Sequence, residues 1–187
     1  MKILIADDES IIRMGLKQML TDMGHSVIAA VNGREALQMG RDHQPDMAIL
    51  DIRMPFTDGI QAAKALAKSQ PMPIILLTAY SDDDLIEKAT ELPIQGYLVK
   101  PVNEGALKAA ISVAVKRFAE TSKLKEVGAK LYVALETRKL LDKAKGKLMS
   151  EQGLSEDEAY HVIQSEARES RRPIKEIAQA ILEASSL

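Results

Sequence analysis

Residues 47–59 read MAILDIRMPFTDG. Four apolar residues, Met47–Leu50, run without interruption into Asp51, and the chain then turns through Pro55 and Asp58-Gly59. A short unbroken apolar run has the length of a strand, and its lack of alternation suits a strand covered on both faces, as in a parallel sheet. Four more runs lie outward from this one: Ile3–Ala6, Val27–Val31, Ile74–Leu77 and Tyr97–Val99. Helical spacing fills the gaps. Ile12, Leu16, Met19 and Leu20 share a face after Ser10, and Ala36-Leu37 and Met39-Gly40 follow Asn32 as N-cap. Ile60, Ala63, Leu66 and Ala67 follow Asp58-Gly59. Leu85, Ile86 and Ala89 follow Ser81 and three aspartates, and Leu107, Ala110-Ile111 and Ala114 follow Asn103. Asp, Asn and Ser before an apolar stripe are helix-start signals. Five strand–helix alternations predict a doubly wound α/β domain with right-handed crossovers.

The whole chain has 187 residues, of which 46% are apolar and 28% charged, which predicts a soluble fold with a true core. The net charge of -2 excludes a global polycation, so any nucleic-acid role needs a local patch. The absence of Cys excludes disulfides, thiol nucleophiles and Cys-ligated metals. Three His without an HExxH pattern speak against a His-rich metal site. Asp7-Asp8-Glu9 interrupts the N-terminal apolar run before a signal peptide can form, and no later run approaches a membrane span, so a cytoplasmic protein is expected.

Beyond residue 103 the alternation stops. No proline occurs up to Leu148, and Leu124, Val127, Leu131 and Ala134 follow at spacings of 3, 4 and 3, an a/d seam about two heptads long. The spacing predicts a helical connector that pairs weakly with a partner chain. A helix then ends before Gly153, and Ser155-Glu156-Asp157-Glu158 has the form of a capping box. It opens a helix with Ala159, Val162, Ile163 and Ala167 inward. Pro173 suits the first turn of a last helix with Ile174, Ile177, Ala178 and Ile181 inward.

Chemistry gathers at the strand ends. Asp7 and Asp8 follow the first strand, Asp51 ends the third, Thr78 the fourth, and Lys100 follows the fifth. In a parallel sheet all of them reach the carboxyl edge, where open α/β folds bind ligands. Two like charges ~4 Å apart repel by about 4 kcal/mol at an effective dielectric near 20. Converging carboxylates therefore need protons or a hard cation, and an all-oxygen donor set favours Mg²⁺. With the cation bound, one carboxylate becomes a tolerable nucleophile towards phosphorus, and Lys100 and the Thr78 hydroxyl can hold phosphoryl oxygens. Taken singly, each Asp is a helix cap and Lys100 a solvated cation; the ordered set is what points to phosphoryl chemistry.

On these motifs, Asp7-Asp8, Asp51-Ile52-Arg53-Met54-Pro55 with Asp58-Gly59, Thr78-Ala79 and Lys100-Pro101, residues 1–120 resemble the receiver domain of two-component response regulators. The resemblance implies a five-stranded sheet of order 2-1-3-4-5 and phosphorylation of Asp51 by a histidine kinase. It implies Mg²⁺ held by Asp8, Asp51 and the Arg53 main-chain carbonyl, with Asp7 acting directly or through water. It further implies that Lys100 pairs with the phosphoryl group, that Thr78 and Tyr97 form a switch pair, and that the Lys100–Pro101 bond is cis. Mg²⁺-dependent self-phosphorylation and slow autodephosphorylation follow, with no separate metabolic reaction. Thr57 stands where the family often has an apolar residue or Gly.

Residues 1–120 hold 13 basic and 16 acidic side chains, whereas residues 121–187 hold 12 and 11. Within the second part Arg138, Lys139, Lys143, Lys145 and Lys147 form one basic group, and Arg168, Arg171, Arg172 and Lys175 another. Spaced basic groups are the footprint of nucleic-acid binding, although a basic run alone is more often a solvated face. The last helix is apolar and acidic, unlike a DNA-reading recognition helix, and no aromatic platform is present. Arg138, the run Ala144-Lys145-Gly146-Lys147-Leu148-Met149, Gly153-Leu154-Ser155-Glu156, Glu158-Ala159-Tyr160, Ala167, Arg171-Arg172-Pro173 and Ala178 resemble the ANTAR domain, a three-helix RNA-binding antitermination module. Arg168 stands where that family commonly has an apolar residue. The resemblance implies binding of tandem stem-loops in leader transcripts. Lys145, Gly146, Arg171 and Arg172 are the expected RNA contacts, followed by Arg138 and Tyr160. Gly146 inside a helix costs ~1 kcal/mol against Ala, which close approach by a ligand or another helix would explain.

The chain thus divides into a receiver at 1–120, a helical or coiled-coil connector at 121–136 and a three-helix ANTAR domain at 137–187, with a homodimer expected on phosphorylation. A DNA-binding transcription factor and a receiver with a protein-interaction output are the alternatives.

Overall fold

The computed structural model describes residues 1–79 and 93–184. Five strands, β1 (Lys2–Ala6), β2 (Ser26–Ala30), β3 (Met47–Asp51), β4 (Ile74–Thr78) and β5 (Gly96–Val99), form one parallel sheet in the order β2-β1-β3-β4-β5. Every residue of β3 and β4 is buried, which is why these segments read as unbroken apolar runs. Successive side chains point to opposite faces, so the strands feed two cores. Leu4, Ala48, Leu50, Ile74 and Leu76 meet Ala36, Ala62, Ala63 and Leu66 on one face. Ile3, Ile5, Met47, Ile49, Ile75 and Leu77 meet Leu16, Leu20, Leu107 and Ile111 on the other.

The helices start where short polar side chains can accept from free backbone N–H groups. In α2 (Gly33–His43) Asn32 accepts from the Glu35 N–H, and in α3 (Gly59–Ser69) Asp58 accepts from the Gln61 N–H. Helix α1 (Ser10–Asp22) follows Glu9, whose side chain makes no capping bond. Helix α4 (Glu104–Gln152) opens at Asn103, which accepts from the Ala106 N–H at 2.8 Å. The helix expected after Ser81 lies outside the described residues.

The chain divides into two compact units, Met1–Ser122 and Lys123–Leu187, and α4 crosses the boundary without interruption. The segment expected as a connector, residues 121–136, is thus part of a continuous helix. Its seam residues Leu124, Val127 and Leu131 are exposed.

In the second unit the end of α4 packs with α5 (Glu156–Ser170) and α6 (Ile174–Glu183) around Ala144, Leu148, Ala159, Ile163, Ile177 and Ala178. Ser155 and Glu158 form a reciprocal capping box at the start of α5. Two residues depart from expectation. Val162 is exposed, because it stands about 100° round α5 from Ile163 and off the stripe of Ala159, Ile163 and Ala167. Pro173 is the N-cap of α6 and lies outside its first turn, with ψ 138 keeping its backbone extended. Lys147 closes the far end of α6 by donating to the carbonyls of Ile181, at 2.9 Å, and Ala184.

Candidate functional site

The register of the sheet aligns its carboxyl edge. Ala6 pairs with Leu50, Asp51 with Leu77, and Thr78 with Val99, so Asp7, Asp8, Asp51, Thr78 and Lys100 all emerge there. One carboxylate oxygen each from Asp7, Asp8 and Asp51 lie within 4.8 Å of one another. Asp7 and Asp51 are buried and Asp8 is exposed. The Lys100 ammonium sits 2.9 Å from Asp7 Oδ2, 3.0 Å from Asp51 Oδ2 and 3.5 Å from Glu9 Oε1. Together with Arg53 and Ala79, several of these groups line an open cleft of about 270 Å³. A larger cavity of about 420 Å³ beside Met23, His25 and Ile111 lies near the start of β1, away from these acids.

Local structure holds the acids in place. Asp7 Oδ1 accepts from the Glu9 N–H at 2.8 Å, and Arg13 Nη1 donates to the Asp7 carbonyl at 2.6 Å. Gly59 is required by packing: a Cβ there would stand 2.0 Å from the Asp51 carbonyl oxygen. Gly33 is required likewise by the Thr57 carbonyl, 2.3 Å from its Cβ position. The Lys100–Pro101 peptide bond is cis, and the Lys100 N–H donates to the Thr78 carbonyl at 2.9 Å. The buried Thr78 hydroxyl donates to the Ala79 carbonyl at 3.0 Å. Tyr97 is half-buried against the core beneath the edge.

Burial pushes the Asp51 carboxyl up to about 6; Lys100 opposes that rise, and Asp7 and Asp8 add to it. Burial alone would lower the Lys100 ammonium, but its bonds to Asp7 and Asp51 outweigh burial and raise it. Burial also raises the Tyr97 hydroxyl. Asp7 Oδ2 is buried and, apart from the Lys100 ammonium 2.9 Å away, has no polar partner among the described residues. A buried carboxylate oxygen with spare acceptor capacity, beside two more carboxylates, fits a hard divalent cation such as Mg²⁺.

Sequence reasoning missed Glu9, the third carboxylate around Lys100; its position beside the acidic pair was the available signal. It also missed Phe56, an exposed aromatic at φ 68 with the Arg34 guanidinium 5.7 Å from its ring centre.

The expected RNA contacts are less concentrated. Lys145 is held by Asp142 at 3.0 Å and Glu156 at 2.7 Å. Gly146 has open space around it: a Cβ at this position would meet nothing within 4 Å, so no neighbouring helix accounts for the glycine. Arg138 and Tyr160 are exposed. Arg172 pairs with Glu176 at 3.1 Å, and Arg171 closes α5 in a left-handed conformation at φ 53. Glu156 opens α5 and Arg171 follows its end, so Lys145 and the arginine pair stand about 22 Å apart along a 15-residue helix. The structure therefore leaves Lys145 and the Arg171-Arg172 pair at opposite ends of α5.

Two family models match the chain: the response regulator receiver domain over residues 3–112 and the ANTAR domain over residues 129–182. The transcriptional regulatory protein PdtaR of Mycobacterium tuberculosis is 42% identical over 97% of this chain and 89% of its own length. Among solved structures, a response regulator receiver domain protein from Clostridium thermocellum is 34% identical, with a TM-score of 0.59, covering 62% of this chain and 94% of that one. The chemotaxis protein CheY4 of Vibrio cholerae is 32% identical with a TM-score of 0.57, covering 60% and 97%.

Proposed function

The chain belongs to the response regulators that join a receiver domain to an ANTAR domain, and on that premise we propose that phosphorylation of Asp51 by a histidine kinase controls binding of the second unit to RNA. The observation that supports this most is the Lys100 ammonium bridging Asp7 and Asp51 within a three-carboxylate cluster. An Asp51 carboxylate oxygen forms a bond to phosphorus as the phosphorus–nitrogen bond of a phosphohistidine breaks, leaving the donor imidazole and an acyl phosphate. Lys100 neutralises a phosphoryl oxygen throughout. The Thr78 hydroxyl turns from the Ala79 carbonyl to donate to another, and Tyr97 moves inward behind it. Asp8, Asp51 and the Arg53 carbonyl, with Asp7, would hold Mg²⁺, which when bound supplies charge neutralisation at the reacting oxygens.

The added charge shifts a two-state receiver. A dimer formed through α4 then presents two ANTAR domains to tandem stem-loops of a leader transcript, gaining affinity by effective concentration and acting by antitermination. Lys145, Gly146, Arg171, Arg172, Arg138 and Tyr160 are the contacts the resemblance nominates. The protein works in the cytoplasm and carries out no separate metabolic reaction. No helix among the described residues is long and apolar enough to cross a membrane. The test is RNA binding with and without a phosphorylated Asp51. If Asp51→Asn, which cannot be phosphorylated, binds tandem hairpins as tightly as the phosphorylated wild type, the coupling is wrong.

A further inference from the structure

We infer that the cavity at the amino edge of the sheet, opposite Asp51, is a binding site for a small organic acid with an apolar body, recognised by Lys108 and His25. Its occupancy requires neither Asp51 phosphorylation nor RNA. The cavity holds about 420 Å³, an ordinary size for a ligand pocket. Met23, His25 and one stripe of α4 line it. Lys108, Ile111, Ser112 and Val115 recur at i, i+3, i+4 and i+7 and so share a face. Ile111 belongs to the core beneath, and Met23 and Val115 pack against that core. The walls are therefore apolar, and the lining side chains that offer polar atoms are His25, Lys108 and Ser112.

The turn before β2 fixes His25. Gly24 takes φ 80 after α1, its N–H donates to the Thr21 carbonyl at 2.9 Å, and the His25 N–H donates to the Leu20 carbonyl at 3.0 Å. These two bonds close α1 in a Schellman motif and leave the His25 backbone little freedom. The His25 Nδ1 atom is buried and has no hydrogen-bond partner. A buried N–H without an acceptor is rarer than a buried acceptor without a donor, so the ring proton belongs on Nε2. The half-buried ring then offers a donor at its other nitrogen. Lys108 is exposed, and among the described residues its ammonium makes no ion pair or hydrogen bond. Ser112 commits its hydroxyl proton to the Lys108 carbonyl at 3.0 Å, so it edges the mouth without adding a donor.

Two donors, one of them a full positive charge, stand over apolar walls, and no carboxylate is among the lining residues. That set selects an anion joined to an apolar body. A bare inorganic anion would leave Met23, Ile111 and Val115 uncovered, and a plain hydrocarbon would cover the ring N–H without giving it a partner. A carboxylate on a short hydrocarbon meets both demands. The cavity lies away from Asp7, Asp8 and Asp51, so such an acid does not compete with a phosphoryl group. It instead grips α4 within the first unit.

The experiment follows the Met23 methyl resonance of the full chain, isotopically labelled at methionine methyls, during titration with octanoate, acetate or octan-1-ol. Octanoate is expected to shift that resonance with a dissociation constant in the millimolar range or tighter. Acetate, which lacks the body, should bind at least about tenfold more weakly, and octan-1-ol, which lacks the charge, about three- to tenfold more weakly. Lys108→Met, a change at an exposed position, should weaken octanoate about three- to fivefold at low salt and leave octan-1-ol unaffected. Lys64→Met, an exposed cation on α3, should alter neither. Ser112→Trp, which places a ring in the mouth, should remove binding of both. No shift at Met23 with octanoate, or octan-1-ol binding as tightly as octanoate, would overturn the inference. So would octanoate binding that is unchanged in Lys108→Met or that survives Ser112→Trp.

Discussion

Lys100 in the first unit and Lys145 in the second each stand between two carboxylates at almost the same distances, 2.9 and 3.0 Å for one, 3.0 and 2.7 Å for the other. Their surroundings differ. The Lys100 partners Asp7 and Asp51 keep only 0% and 7% of their side-chain surface in contact with solvent, whereas the Lys145 partners Asp142 and Glu156 keep 57% and 69%. Water screens the second pair of contacts and leaves them a weak clamp. Burial removes that screening from the first, lifts Asp51 to about 6, and leaves an excess of carboxylates that a bound cation would relieve. Equal distances therefore describe a buried, strongly coupled charge cluster in one unit and a surface clip in the other.

The largest contrast is expected from removing each ammonium. Lys100→Met should cost about 3 kcal/mol in urea unfolding without Mg²⁺, the low end for breaking a buried pair because the site opens into a cleft. It should also slow Asp51 phosphorylation by at least about 100-fold, on the order of what removing one electrostatic contact to the reacting group costs. Added Mg²⁺ should restore stability in this variant but not the phosphorylation rate. Lys145→Met should leave the unfolding midpoint nearly unchanged. Equal losses in the two variants would show that burial is not what separates them.

Two glycines extend the comparison from charge to packing. Gly59→Ala forces a methyl to within 2.0 Å of the Asp51 carbonyl, and should destabilise the fold by about 2–3 kcal/mol. Gly146→Ala meets nothing within 4 Å and should gain about 1 kcal/mol from helix propensity. Thermal unfolding of both distinguishes them. A gain in stability accompanied by weaker RNA binding for Gly146→Ala would locate a close ligand approach at that position.

Acidity acts on the first site. Asp51 is ionised above about pH 6 and protonated below it, so Mg²⁺ should raise the melting temperature above pH 6 and progressively cease to do so as pH falls through that value. Without the cation the sign is opposite: the native state holds the Asp51 proton to higher pH than the unfolded chain, with its value of 3.8. This one group therefore favours folding at low pH and loses that contribution as pH rises from about 4 to 6. The smallest effect is expected at Glu156. Glu156→Gln loosens the clamp on Lys145 and should strengthen RNA binding about twofold at low salt, with no change at high salt.

The first unit was legible because its signals are local or repeated. Strands covered on both faces leave unbroken apolar runs, and a parallel sheet sends all their last residues to one edge, so Asp7, Asp8, Asp51, Thr78 and Lys100 could be gathered from their order in the chain. Asn32, Asp58 and Ser155 announced helix starts through bonds that span three residues. What stayed hidden depends on contacts between distant segments. The charge of Lys145 is visible in the sequence, but its engagement by Glu156, eleven residues on and across a turn, is not. Val162 looked inward because a single apolar stripe leaves roughly 100° of rotation undecided. Glu9 and Phe56 belong to the rim of the cleft, where no periodicity constrains the residue type.

Everything turns on whether the buried, Lys100-bridged carboxylate of Asp51 is the group that reacts. The direct measurement is incubation of the full chain with a small phosphodonor and Mg²⁺, followed by mass analysis of its peptides. One phosphoryl group on the peptide containing Asp51, absent when Mg²⁺ is withheld and absent in Asp51→Asn, is the expected result. An adduct on another residue, or no adduct with Mg²⁺ present, would contradict it.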